Sequence, residues 1–134
     1  MPVEIRNAQK KVRLDLARLR RDAQRMLEAV EAPRKLLSVL LTDDRGMAEL
    51  HARWMGEGSA TDVLSFPMGE EGILGDVAIS VEWAARRGRG DAQGQVLRYL
   101  THGILHLAGY DHRTPAQWRR MSRRARRLMR EVKG

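Results

Sequence analysis

The chain contains no cysteine. That excludes disulfides, thiolate metal ligands and a cysteine nucleophile, and it is consistent with life in the cytosol. Long apolar runs are missing too: stretches such as Lys35 to Leu41 and Ile73 to Val81 fall far short of the roughly 20 residues of a membrane span. No charged-then-apolar leader is expected before the first elements. The expectation is a cytoplasmic protein with no membrane partner, in which histidine and carboxylate are the only strong metal ligands available.

What the chain has in excess is positive charge. Lysine and arginine number 25 against 17 acids, for a formal net charge of +8 in 134 residues. Such a balance concentrates polyanions at a surface and speeds their encounter. The excess is concentrated at one end: Arg113, Arg119, Arg120, Arg123, Arg124, Arg126, Arg127, Arg130 and Lys133 stand there with Glu131 as the sole acid among them. This segment reads either as a polyanion-facing surface or as a solvated helix face.

The length is that of one ordinary domain, residues 1–134, large enough to bury a core without staples. Val3 to Arg6 reads as a short strand, and apolar residues from Val12 to Val30 recur at helical spacing, predicting an amphipathic helix over Ala8 to Val30. Leu36 to Thr42 reads as a buried strand, and Asp43-Asp44 can cap a helix over Arg45 to Trp54. Gly56 to Ser59 reads as a flexible connection. Thr61 to Pro67, ended by its proline or confined by it to a sheet edge, and Ile73 to Ser80, across a turn at Gly69 to Gly72, suggest an antiparallel pair. Ser80 can cap a helix over Val81 to Arg87; another runs from Ala92 to Leu107, closed by Gly109. Thr114-Pro115 opens a last helix whose apolar stripe, Trp118, Met121, Ala125, Leu128, Met129 and Val132, reads as core. The fold class is α+β: a small mixed sheet of about four strands with about five helices, in a single domain.

Three of the four histidines fall within eleven residues, from His102 through His106 to His112. On a helix His102 and His106 lie about 40° apart and present two imidazoles from one face. Gly109 permits the chain reversal that brings His112 back as a third ligand. A single histidine on such a helix would be a scattered polar residue; three at this spacing read as a metal site. Three neutral imidazoles leave the fourth tetrahedral position open, as catalytic zinc sites do. The same ligands also accept nickel, copper or iron. His51, far upstream, reads as a surface or satisfied histidine.

Metzincin peptidases share this ligand spacing, but they carry a glutamate after the first histidine as general base. Here that position is Gly103, which can abstract no proton. A peptidase mechanism therefore lacks its base.

The run His102-Gly103-Ile104-Leu105-His106-Leu107-Ala108-Gly109-Tyr110-Asp111-His112 closely resembles the hallmark of the YbeY family of bacterial rRNA maturation endoribonucleases, His-Gly-x-Leu-His-Leu-x-Gly-Tyr-Asp-His. A second family block, Pro-Thr-Asp-Val-Leu-Ser-Phe-Pro, matches Ala60 to Pro67 except at its first residue, and a third, Leu-Gly-Asp before an apolar strand, matches Leu74 to Ile79. The three blocks occur in family order, and the flanking elements fit along essentially the whole chain. The resemblance implies zinc held by His102, His106 and His112, and single-strand-specific cleavage of RNA in small-subunit rRNA maturation and ribosome quality control. It implies rRNA and the small ribosomal subunit as partners, with no DNA specificity. It also marks a departure, because many family members carry an arginine where this chain has Met55. Either Arg53 or another basic residue substitutes, or cleavage is weak. Asp111 is compatible with two roles, orienting a ligand imidazole or closing a turn on its own backbone. Asp76 reads either as facing the site or as accepting from an arginine, and Thr61 and Ser65 as RNA contacts or locally paired hydroxyls. Two further readings remain at this stage: a ribosome- or RNA-binding factor with vestigial chemistry, and a metallohydrolase acting on another bond.

Overall fold

The computed structural model describes residues 3–56, 61–68 and 70–133, with the backbone alone at Met55 and Lys133. Residues 57–60 and 69, which include most of the expected Gly56 to Ser59 connection and the start of the turn before Ile73, lie outside it. So does the Met55 side chain.

Among the described residues four strands and five helices occur in the order β1 (Val3–Asn7), α1 (Leu16–Ala29), β2 (Leu36–Thr42), α2 (Asp44–Met55), β3 (Val63–Pro67), β4 (Ile73–Ser80), α3 (Val81–Gly88), α4 (Ala92–Leu107) and α5 (Pro115–Lys133). The strands form one mixed sheet ordered β1-β2-β4-β3. β1 and β4 flank β2 in parallel. β3 pairs antiparallel with β4, Ser65 opposite Val77 and Phe66 opposite Asp76, and forms an edge that Pro67 both ends and tolerates. The architecture is the expected α+β class.

Alternation along the strands gives the sheet two unlike faces. Leu37, Val39 and Leu41 of β2 and Val77 and Ile79 of β4 join the main core with Leu19, Ala23, Met26 and Leu27 of α1 and Leu100 and Ile104 of α4. The other face carries Leu40, Leu64, Phe66 and Ala78 and is covered by Met47 and Leu50 of α2. α4 packs against β3, β4, α1, α3 and α5 at once. That central place fixes whatever its solvent side presents.

Local chemistry accounts for the element ends. Asp43 accepts from Gly46 N at 2.9 Å and Ser80 Oγ from Trp83 N at 3.1 Å, so both caps fall where expected. Ser80 Oγ also donates to Asp44 Oδ1 at 2.6 Å, and Asp44 N donates to Glu82 Oε1 at 2.9 Å, tying the starts of α2 and α3 together.

Two expectations need correction. The first helix begins at Leu16, with Asp15 as its cap accepting from Arg18 N at 3.0 Å, rather than at Ala8. Upstream, the Gln9 side-chain amide binds both the N–H and the C=O of Val12, at 2.9 Å each, while Gln93 does the same for Asp15, at 2.9 and 3.1 Å. These amides occupy backbone groups that a helix would need, and Val12, Leu14 and Leu16 pack on the core at a spacing of two. The second correction concerns Trp118, which is 53% exposed rather than core. Its stripe is buried only from Met121 onward, through Ala125, Leu128 and Val132.

Candidate metal centre

α4, which carries His102 and His106, lies close against the sheet. A Cβ on Gly103 would lie 2.8 Å from Val77 Cγ1 and 2.9 Å from its Cγ2, so only glycine lets the helix sit this near β4. The position expected to hold a peptidase's base therefore faces the sheet.

The helix then ends in a Schellman motif. Tyr110 N donates to Leu105 O at 3.0 Å and Gly109 N to His106 O at 3.1 Å, with Gly109 at φ 105°. Tyr110 packs back on the cluster around Leu105. The reversed chain is held by a capping box: Thr114 Oγ1 accepts from Gln117 N at 3.1 Å, and Gln117 Oε1 accepts from Arg113 N and Thr114 N at 3.1 Å each. Asp111 Oδ1 accepts from His112 N at 2.7 Å, and Asp111 Oδ2 pairs with Arg113 Nε at 3.1 Å. The Asp111 carboxylate thus closes the turn on its own backbone and sets the peptide that carries His112.

These elements bring His102, His106 and His112 to a single cavity of about 130 Å³, with Val63 and Ser65 of β3, Gly103 and Met121 as its other walls. The ring centroids of His106 and His112 are 5.9 Å apart. Two imidazoles on one tetrahedral zinc, with Zn–N of about 2.0–2.1 Å, have centroids about 5 Å apart. Among the described residues no group of three histidine or carboxylate side chains is gathered tightly enough to grip an ion. The trio lines one cavity without closing on a common point. The donor set itself fits zinc: imidazoles only, from two elements, with one side open.

The electrostatics favour the neutral form of the His102 imidazole. Burial lowers its pKa from the ordinary 6.5, and the Arg98 and His112 charges push the same way, while the Asp62 carboxylate opposes them. Arg98 lies one helical turn before His102 and is exposed. Arg98, His102 and His106 thus form one i, i+4, i+8 row on α4. Asp62 Oδ1 accepts from Val63 N at 2.7 Å and from Thr61 Oγ1 at 3.4 Å, which leaves Thr61 paired locally.

Other expected participants lie elsewhere. Arg53 is exposed in the last turn of α2, on the helix that covers the opposite face of the sheet. Asp76 lines a separate cavity on that face with Arg6, Trp54 and Phe66. Ser65, by contrast, is in the histidine cavity, because its register places it beside Val77. Sequence reasoning missed Arg98 and misplaced Trp118. The i, i+4 spacing from Arg98 to His102 was the available signal for the first. Trp118 lies with its ring 6.5 Å from His102, nearly parallel at 8°, and 6.3 Å from His112, edge-on at 82°.

A family model described as Endoribonuclease YbeY matches residues 4–133. This chain belongs to the YbeY family. Endoribonuclease YbeY of Anaeromyxobacter sp. (strain Fw109-5) is 42% identical over an alignment covering 97% of this chain and 71% of the relative. That of Anaeromyxobacter dehalogenans is 45% identical, covering 84% of this chain and 62% of the relative. That of Thermobifida fusca is 44% identical, covering 90% and 87%. The solution structure of TM1509 from Thermotoga maritima superposes with a TM-score of 0.63 at 25% identity, over 98% of this chain and 91% of that one. Measured against this family, the YbeY hallmark is the segment that builds the cavity: its first glycine is the contact with Val77, its second the Schellman residue, and its aspartate the clamp on the last histidine.

Proposed function

We propose that this chain is a zinc-dependent endoribonuclease that cleaves single-stranded RNA in small-subunit rRNA maturation and ribosome quality control. The observation that carries the reading is the convergence of His102, His106 and His112 on one cavity in a member of an endoribonuclease family. The three imidazoles are the ligands. Held by these residues, a zinc ion would supply Lewis acidity and would lower the pKa of a water in its open position.

The protein's own groups position the substrate. His102, kept neutral by burial, offers its lone pair at neutral pH. Ser65 presents a hydroxyl within the cavity for a phosphate oxygen. The Arg98 guanidinium, beside His102, is placed to bind a phosphate and to offset charge developing in the transition state. Asp111 acts by holding the His112 backbone. Arg53 is the stand-in nearest in sequence to the position where family members carry arginine, and Arg98 is its rival by geometry. The working place is the cytoplasm, where small subunits are assembled.

A second reading, an RNA-binding biogenesis factor with weak turnover, is favoured by Met55 together with the arginine-rich α5. The two separate in one assay. Zinc-loaded protein and a His102→Ala/His106→Ala control are incubated with unstructured RNA. Cleavage by the first alone supports the enzyme; salt-sensitive binding without turnover supports the factor; equal cleavage by both means a contaminant. In the same assay Arg98→Ala and Arg53→Ala identify which arginine serves the reaction.

A further inference from the structure

Exposed aromatic surface is scarce in this molecule. The chain has three Trp, two Tyr and one Phe, and Trp54 and Trp118 are its largely exposed rings among the described residues. Trp54 rests against Phe66 on the sheet face opposite the histidines. Trp118 stands instead at the rim of the histidine cavity, in ring contact with two of its three imidazoles.

Packing does not explain Trp118. The buried stripe of α5 begins one turn later at Met121, and Trp118 itself is exposed. Holding the imidazoles would not require so large an open face. The capping box of Thr114 and Gln117 fixes the helix start that carries the ring, next to the loop that carries His112. The surrounding surface is basic: Arg119 follows it in sequence and is exposed, and Arg98 is exposed one helical turn before His102 on α4. An open aromatic face on a basic surface is the usual recipe for binding unpaired nucleotides.

Resting on the endoribonuclease reading, we propose that Trp118 is a nucleobase-stacking residue, receiving an unpaired base next to the phosphate held at the histidine cavity. Such a contact discriminates strandedness, because a base inside a duplex has both faces covered by its neighbours. It tolerates sequence, since every base has a π-face.

The test uses the full zinc-loaded chain with Trp54→Phe and Trp83→Phe, leaving Trp118 as the sole indole. A 2′-O-methyl oligouridylate of about ten nucleotides is titrated beside an abasic ribose-phosphate strand of equal length. The oligouridylate should quench the indole emission and the abasic strand should not. In the otherwise native chain, Trp118→Ala should weaken oligouridylate binding about tenfold and Trp118→Phe much less, with zinc content unchanged. Equal affinity of Trp118→Ala and the parent overturns the proposal. So does an equal loss towards the abasic strand, or a loss of zinc with RNA affinity intact, which would assign the indole to holding the imidazoles. Quenching by the oligouridylate with no cleavage of unmodified, unstructured RNA by the same zinc-loaded chain would keep the stacking role and remove the nuclease reading. Cleavage with a KM indifferent to Trp118→Ala would do the reverse.

Discussion

Gly103 and Val77 are in contact across the helix–sheet interface, and that contact sets the depth at which the two α4 histidines stand over β3 and β4. A Cβ at position 103 would meet both Val77 methyls at under 3 Å. Both partners are buried, so neither can yield into solvent.

Gly103→Ala should therefore destabilise the fold. A mid-helix glycine replaced by alanine normally gains roughly 1 kcal/mol, but overpacking typically costs about 1–3 kcal/mol. The net change should be a loss, read as a lower urea midpoint at unchanged m-value. Val77→Ala, which opens the space, should restore part of it when combined with Gly103→Ala. Gly103→Glu should be far worse and should create no peptidase. Full stability of Gly103→Ala would show that α4 can rise off the sheet without cost.

The protonation of His102 should respond to Arg98 and Asp62 with opposite signs. Arg98→Gln removes a cation that lowers its pKa and should raise it; Asp62→Asn removes an anion that raises it and should lower it further. Histidine NMR titration of the metal-free chain reads both. For stability, the depressed folded-state pKa means that the unfolded chain binds more protons between that value and the ordinary 6.5. The contribution is present above pH 6.5 and is lost as pH falls through the window below it. A metal-free protein whose His102 contribution grew on acidification would contradict this assignment.

Much of this was legible in the chain, and the exceptions share a cause. β2, β4 and α4 fall where alternation and helical spacing place them, and the Ser80, Thr114 and Gly109 end signals act as read. Ala8 to Asp15 misled because Val12, Leu14 and Leu16 satisfy an alternating pattern as well as part of a helical one. What decides between them is the capture of backbone by Gln9 and by Gln93, the latter distant in sequence. Trp118 misled because periodicity identifies a face but not where the core beneath it stops. Asp76 and Ser65 could be assigned to opposite sheet faces only after the register of β3 on β4 was known.

The loop that carries His112 should be separable into a stability element and a site element. Thr114→Ala removes the cap and should cost about 1 kcal/mol of stability. Asp111→Asn keeps an acceptor for His112 N but weakens the pairing with the exposed Arg113, so stability should change little. Asp111→Ala releases the His112 peptide and should lower zinc affinity more than it lowers the melting temperature of the metal-free chain. Zinc titration and calorimetry distinguish these outcomes. Zinc affinity unaffected by Asp111→Ala would mean that Gly109 and the capping box alone position the third histidine.

The arginines of α5 should divide into those that bind RNA and one that binds the protein. Arg124 donates from Nη2 to Ala29 O at 2.8 Å, at the end of α1, and its side chain is largely buried, so Arg124→Gln should reduce stability. Arg119, Arg120 and Arg123 are exposed and should act through phosphate contacts. For single strands log affinity falls with log salt by about 0.7 for each phosphate neutralised. Neutralising Arg119, Arg120 and Arg123 singly should each flatten that slope by up to about 0.7 where the residue contacts the strand, with no shift in urea midpoint. Arg124→Gln should move the midpoint and leave the slope alone. A slope insensitive to all three exposed arginines would return α5 to a solvated helix face and leave Arg98 as the principal phosphate-binding arginine.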